Sequence, residues 1–133
     1  MPAKLDHDAE VRAEARKLPK LNPAVVAAME DMLQTDSGSL KPPEQAARLM
    51  ALIYELHKLK MPAPRREVMA QVIGGARSKW TIDTTLYQKR AEGYLDLVTE
   101  TQIGNTQKRP GIKQIRYFVP SKRVIDIAKR AET

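Results

Sequence analysis

The hydrophobic pattern of this 133-residue chain changes from a helical to an alternating period after about residue 92 and back to a helical one after Pro120, and the first change limits the folds open to it. Up to about residue 92, apolar residues recur every three or four positions, which indicates amphipathic helices. Two later segments, 95–103 and 112–119, alternate apolar with polar residues and are rich in β-formers, which is typical of strands. The segment between them, 104–111, has glycine at both ends and Pro110 near its tip, so it predicts a loop. We therefore expect helices followed by one two-stranded hairpin.

Local signals also predict where the helices begin and end. Asn22-Pro23 is a suitable N-cap and first residue for a helix that ends in 35–43. Gly74-Gly75 is expected to stop a helix that starts near Arg65, and Gly93 the following one. Residues 5–18 predict only a weak helix or a mobile arm. The other predicted helices are 44–60, a helix capped by Ser78, and one that follows Pro120-Ser121.

The predicted helix 44–60 is apolar over more than half of its circumference, so one neighbour cannot cover it. The rest of the C-terminal half can cover one side, and the other side needs the N-terminal segment or a second chain. We expect two regions, an interface-forming arm and helix at 1–43 and a domain at 44–133, and a homodimer. The alternative, in which the terminal segments cover the core of a monomer, stays open. His57 projects onto the apolar face of this helix, which predicts a core or interface histidine.

Positive charge is concentrated in the second half of the chain. Residues 1–60 carry nine Lys/Arg and nine Asp/Glu, whereas residues 61–133 carry fourteen against seven, which accounts for the net charge of +7. The stretch 104–123 has six cations and no acid. Such a field attracts polyanions, and nucleic acid is the partner it favours; a merely solvated surface is the alternative.

The order of the predicted elements resembles the winged helix-turn-helix superfamily, in outline the MarR- and PadR-type transcriptional regulators. Three segments carry the resemblance: PRREVMAQVIGG, SKWTIDTTLYQKRAEGYL and IRYFVPSKRVIDIAK. They correspond to the first helix of the motif, the recognition helix, and the second wing strand leading into a final helix. The resemblance implies a mostly α fold with a two-stranded β-hairpin wing (α+β), extra N- and C-terminal helices, and binding to double-stranded DNA.

Residue chemistry suggests which positions would contact DNA. Hydroxyl, amide and ammonium groups on the fourth helix can reach base edges and phosphates in a major groove that admits one helix. A basic hairpin tip can follow the DNA backbone or enter the minor groove. Arginines that start the motif can hold phosphates. The residues expected at the DNA are Arg65, Arg66, Arg77, Ser78, Lys79, Thr81, Thr84, Thr85, Gln88, Lys89, Lys108, Arg109 and Lys113.

Other classes of function have little support in the sequence. The chain has no cysteine, no HExxH and no GxxxxGK[ST], so we expect neither an enzyme nor a bound cofactor or metal. His7 lies between Asp6 and Asp8, but this spacing defines no metal geometry. The absence of cysteine and of long apolar runs predicts a soluble cytoplasmic protein. No residue set identifies a small-molecule effector.

The most direct interpretation is a sequence-specific DNA-binding protein that regulates transcription as a homodimer. A plasmid or phage replication or partition protein with a winged helix is an alternative within nucleic-acid binding. A winged-helix module whose basic surface binds an acidic protein is an alternative of another class. Salt-dependent binding to random duplex separates the last interpretation from the first two.

Overall fold

The computed structural model describes the backbone of residues 3–61, 63–74, 79–106 and 109–133. Side chains are described for 7–61, 63–74, 81–99 and 116–133. Within these ranges the elements are α1 (Ala3–Arg16), α2 (Pro23–Ser37), α3 (Glu44–Lys58), α4 (Arg66–Ile73), α5 (Lys79–Ala91), β1 (Leu95–Thr106), β2 (Arg109–Pro120) and α6 (Lys122–Glu132). The fold is mostly helical with one antiparallel hairpin, which confirms the expected α+β class.

Several helix boundaries follow the local signals in the sequence. The Asn22 side chain accepts a hydrogen bond from the Ala24 amide at 3.0 Å and caps α2. Ser121 caps α6 in the same way. Gly74 (φ 78°) and Gly93 (φ 88°) follow α4 and α5 in a backbone conformation that side chains with a Cβ disfavour. The N-terminal segment is a full helix, α1, and in the described ranges no helix is long and apolar enough to cross a membrane.

The hairpin is longer than the sequence predicted. Its strands pair over twelve positions, from Leu95 opposite Pro120 to Thr106 opposite Arg109, which gives a length of about 37 Å at the usual rise per residue. The predicted loop at 104–111 is therefore wrong for 104–106 and 109–111, which belong to the strands. The two glycines that suggested a loop, Gly104 and Gly111, lie directly opposite each other in the register of the hairpin. Since strand pairing uses only backbone groups, the ladder continues through them.

The core has two parts, and α3 contributes to both. On one side α3 packs with α2 and α6, and on the other with α4, α5 and the base of the hairpin. The first part contains Val25, Met29, Met32, Leu33, Ala47, Met50, Ala51, Tyr54, Tyr94, Val124 and Ala128. The second contains Leu49, Leu52, Ile53, Leu56, Met69, Ala70, Ile73, Ile82, Leu86, Leu95 and Phe118. Both apolar sides of α3 are thus covered within one chain. The large apolar surface of this helix is therefore no longer a reason to expect a homodimer, which stays a prediction.

His57 is exposed in the single chain, so it does not belong to the core as predicted, and its place in an interface between chains stays a prediction. The buried stretch of α3 ends at Leu56, although Lys58 still contacts Glu132 of α6. The helical projection placed His57 beside buried residues of α3, but a projection down the helix axis cannot show how far along the helix the burial extends.

Two polar clusters hold α6 against the rest of the core. Asp36, at the end of α2, accepts hydrogen bonds from the Arg123 guanidinium (2.6 and 2.9 Å) and from the Tyr94 hydroxyl. The Arg123 guanidinium, followed by the Tyr94 hydroxyl, lowers the pKa of Asp36 to about 2. Burial and then the bond to Asp36 raise the pKa of Tyr94 to about 12. At the other end of α6, Glu132 accepts from the Tyr54 hydroxyl and from Lys58.

The Asp36 cluster predicts an acid-sensitive contribution to stability. Because the folded pKa of Asp36 lies below its unfolded value, its contribution is complete above about pH 4 and is lost as the pH falls towards 2. We expect Asp36→Asn to lower the free energy of unfolding at pH 7, with a smaller difference from the wild type at pH 2. Urea unfolding at both pH values measures this. Asp31→Asn, at an exposed position on α2, is the control, and an equal Asp36→Asn effect at both pH values would contradict the prediction.

Candidate nucleic-acid interface

Helix α5 buries one side and exposes the opposite one. Ile82 and Leu86 are 2% and 0% exposed and face the core. Thr84, Gln88 and Ala91 lie on the opposite side at helical spacing and are exposed. We call these three residues the outward ridge of α5. Among the residues predicted to contact DNA, Thr84 and Gln88 are therefore the two that α5 presents on this ridge.

One flank of α5 faces the start of α3 instead of open solvent. Half-buried Thr81 and Thr85 line a groove of about 210 Å³ there, together with Gln45 of α3. The Thr85 hydroxyl donates to the Thr81 carbonyl at 2.8 Å, so it is engaged within its own helix. Within the described part of the chain, the buried Oε1 atom of Gln45 has no hydrogen-bond donor. The groove also includes Gln88 in its lining, so this flank adjoins the outward ridge.

Lys89 is turned towards the protein. Its side chain is 13% exposed, and its ammonium lies 2.6 Å from a carboxylate oxygen of Glu92 and 5.9 Å from the centre of the Tyr94 ring. The sequence placed Lys89 on the exposed arc with Gln88, and the structure separates them because Lys89 follows Leu86 by three residues. In this arrangement Lys89 supports the junction between α5 and the hairpin.

The two arginines at the start of α4 both have acidic partners. Arg65 lies 3.0 Å from Glu14 of α1, and Arg66 lies 2.9 Å from Asp83 of α5. Arg66 also stacks near the Phe118 ring, with its guanidinium carbon 5.9 Å from the ring centre. Exposed pairs of this kind contribute about 0–1 kcal/mol, so a phosphate can replace the carboxylate at little loss. Phosphate contact by these arginines stays a prediction.

An aromatic contact fixes α5 to the base of the hairpin. The Tyr87 and Phe118 rings meet edge to face, with centroids 5.2 Å apart and planes at 83°. Phe118 is 7% exposed, whereas Tyr87 is 45% exposed and borders the outward ridge. Tyr87 is not among the residues that the sequence predicted to contact DNA. Arg116, exposed on β2 opposite Thr99, was also left out of the predicted site.

Several predicted DNA contacts lie partly or wholly outside the described residues. Arg77, Ser78 and Lys108 are outside them altogether. The backbones of Lys79, Arg109 and Lys113 belong to α5 and β2, and their side chains are not among those described. Arg109 pairs with Thr106 at the far end of the ladder, and Lys113 pairs with Gln102. All six stay predictions.

A second cationic surface, which lies in the first half of the chain, was not predicted from the sequence. Positive and negative residues are equal in number there, so the net charge gave no indication of it. Arg12 and Arg16 of α1, Lys20 after it and Arg48 of α3 line one groove of about 570 Å³. The available signal was the spacing of Arg12 and Arg16, which puts them on one face of a helix. His7, considered above with Asp6 and Asp8, lies instead 3.1 Å from Glu67, and the described residues contain no group of three His, Cys, Asp or Glu suited to a metal ion.

No known protein family, curated protein sequence or solved structure matches this chain. The features of the molecule that bear on function are the outward ridge of α5, the hairpin and the placement of the cations.

Proposed function

We propose that this chain binds double-stranded DNA as a winged helix-turn-helix protein, with α4 and α5 as the motif and the hairpin as the wing. The observation that supports this most strongly is the outward ridge of α5, which is exposed while the opposite side of the helix is buried. A helix held in this way can enter a major groove about 12 Å wide without losing its own packing.

The chemistry of the ridge suits contact with base edges. Gln88 can donate to and accept from an adenine edge, and the Thr84 hydroxyl can do either with any base. Ala91, the third ridge residue, is small enough to lie close to a thymine methyl group. These groups carry no charge, so their contribution is to sequence preference and not to general attraction.

Attraction to the phosphates comes from the basic second half of the chain. Its excess of seven positive charges includes the run from Gly104 to Arg123, much of which forms the hairpin. The base of the hairpin is anchored to α5 through the contact of Tyr87 with Phe118, and Arg116, two residues from Phe118 on β2, is exposed. Phosphate contacts of this kind orient a protein on the duplex, and base contacts then select the site. Site-specific binding of this kind is suited to regulation of transcription.

We expect Gln88→Ala to change base preference at one position of the bound site, with a penalty of about 1–3 kcal/mol there if the contact is bidentate. Selection of bound duplexes from a random pool, followed by affinity measurements on single-base variants, tests this. Thr35→Ala, at an exposed position on α2, is the control and should select the wild-type site. Identical selected sites for Gln88→Ala and wild type would remove Gln88 from the base-contacting surface.

The same selection tests the function itself. A site-specific protein enriches one motif, whereas a basic module that binds an acidic protein enriches none and shows only weak binding to duplex. Enrichment of a motif with wild type, and its loss in a Thr84→Ala/Gln88→Ala double variant that remains folded, supports the proposal. Absence of any enriched motif at about 50 and 150 mM salt, where phosphate contacts still favour binding, would overturn it.

The proposed DNA complex is a homodimer. A two-fold dimer would place two α5 helices about 34 Å apart and would favour a palindromic site. Sedimentation equilibrium, with and without a duplex that carries the selected site, measures the stoichiometry. We expect two chains per site. One chain per site at saturation would exclude the dimer and the palindrome with it.

A further inference from the structure

The groove beside α1 has a composition that suits a ligand. It lies among the C-terminal part of α1, the connection to α2, the first half of α3 and the end of α4, and its volume is about 570 Å³. This is within the range of about 300–1,000 Å³ that is usual for small-molecule sites. The residues that line it are Arg12, Ala15, Arg16, Leu18, Pro19, Lys20, Leu21, Arg48, Gln71, Val72 and Ile73.

Among the described residues that line the groove, four are cations and none is an acid. Within the described part of the chain, Arg12, Arg16 and Lys20 form no ion pair. Arg48 has a neutral partner, the Ile73 carbonyl, to which it donates at 3.2 Å. An anion in the groove would therefore meet several positive charges that no carboxylate of the groove compensates.

Other cations of the molecule are placed differently. Arg65, Arg66 and Arg123 each lie 3.0 Å or less from a carboxylate oxygen. The fold thus neutralises cations at its other junctions and leaves those of this groove without a carboxylate. Exposed cations such as Lys129 and Arg130 also form no ion pair in the described part of the chain, so what distinguishes the four cations of the groove is that they line one concave surface.

The other lining residues are mainly apolar. Ala15, Leu18, Pro19, Leu21, Val72 and Ile73 form the apolar part of the lining. Leu18 and Leu21 also pack against the second part of the core, so this surface is continuous with the protein interior. A bare inorganic anion would leave the apolar part of the groove in water, whereas a ligand with an aliphatic body would cover it.

The walls of the groove are held together without the ligand. Glu14 of α1 lies 3.0 Å from Arg65, and His7 of α1 lies 3.1 Å from Glu67 of α4. Val11 of α1 is 8% exposed, so the helix also packs through its apolar side. Because exposed ion pairs contribute only about 0–1 kcal/mol each, the burial of Val11 is the main contact that fixes α1 as one wall of the groove.

We propose that this groove binds a small amphipathic anion, a molecule with one carboxylate or phosphate head group and an aliphatic body. The head group lies among Arg12, Arg16, Lys20 and Arg48, and the body covers the surface formed by Leu18 and Val72. This site does not depend on the proposed DNA-binding function, because binding is measured on the protein alone.

The test is a calorimetric titration of the full chain with four probes at low ionic strength: octanoate, octyl phosphate, octanol and inorganic phosphate. We expect saturable binding of octanoate, octyl phosphate or both at one molecule per chain. Octanol and inorganic phosphate should bind at least about tenfold more weakly, because octanol lacks the anionic head group and inorganic phosphate lacks the aliphatic body. The tighter of the two anions identifies the head group.

Two variants locate the site by independent means. Arg16→Glu/Lys20→Glu reverses the charge of the groove, and Ala15→Trp fills it without a change of charge. Each should weaken octanoate or octyl phosphate binding at least about tenfold. Lys129→Glu/Arg130→Glu, at exposed positions on α6, is the control matched in charge and should bind as the wild type does. Circular dichroism confirms the fold of each variant.

Specific results would overturn the proposal. These are equal binding of octanol and octanoate, binding of inorganic phosphate as tight as that of octyl phosphate, or anion binding that survives both groove variants. Absence of octanoate and octyl phosphate binding would also overturn it. If Arg16→Glu/Lys20→Glu then bound duplex more weakly than the α6 control, the groove would be a contact for the DNA backbone.

Discussion

The affinity of this protein for duplex DNA is expected to fall about 10³–10⁵-fold between 50 and 200 mM salt, for a dimer in which each chain contacts three to five phosphates. Each bound phosphate releases condensed counterions, so the logarithm of the binding constant falls linearly with the logarithm of the salt concentration. Fluorescence anisotropy with a labelled duplex at several salt concentrations measures this slope. A flat dependence would exclude a DNA function for the basic half of the chain.

If the hairpin is the wing of the proposed DNA complex, its cations contribute to that slope. Lys108→Ala/Arg109→Ala should weaken binding to all duplexes similarly and reduce the slope by about 0.9 for each phosphate that the variant can no longer bind. Lys129→Ala/Arg130→Ala, on α6, removes the same charge elsewhere and controls for the net-charge effect. If the wing variant and the α6 variant have the same slope as the wild type, the far end of the hairpin does not contact DNA.

The largest expected effect on stability is that of Phe118→Ala, with a loss of about 3–5 kcal/mol in the free energy of unfolding. Phe118 is 7% exposed, packs in the second part of the core and meets the Tyr87 ring edge to face. Its removal leaves a cavity between α3, α5 and the hairpin and also deprives Arg66 of the ring beside it. Urea unfolding at neutral pH measures the loss.

The neighbouring residue provides the matched control. Tyr117 is half-buried and, as the adjacent residue of β2, points to the opposite face of the hairpin. Tyr117→Ala should therefore have less than half the effect of Phe118→Ala. Equal losses of stability in the two variants would mean that both faces of the hairpin base are packed equally, contrary to the observed burial.

Features that depend on neighbours in sequence were predictable. The cap at Asn22, the start of a helix after Pro120-Ser121 and the stops at Gly74 and Gly93 were correctly identified, because each depends on a hydrogen bond or backbone conformation within a few residues. The change from helical to alternating pattern correctly predicted the hairpin after α5, because the side-chain period of a segment follows directly from its backbone geometry.

Features that depend on distant contacts were not predictable in the same way. The true extent of the hairpin follows from the register that sets Gly104 opposite Gly111, and local composition suggested a loop there. The exposure of His57 depends on where α2 and α6 stop covering α3. The sequence suggested Arg66 as a phosphate ligand and could not show that folding brings Asp83 to within 2.9 Å of it.

The sequence by itself determined which segments are helical or extended, where several of them end, and that net positive charge belongs to the second half. Only the tertiary structure decided which cations have acidic partners, because Arg65 meets Glu14 across 51 positions of the chain. It also decided that Arg16 and Arg48, distant in sequence, line one groove without a carboxylate. Local signals act within a turn of helix, whereas the pairing of charges depends on which surfaces the core brings together.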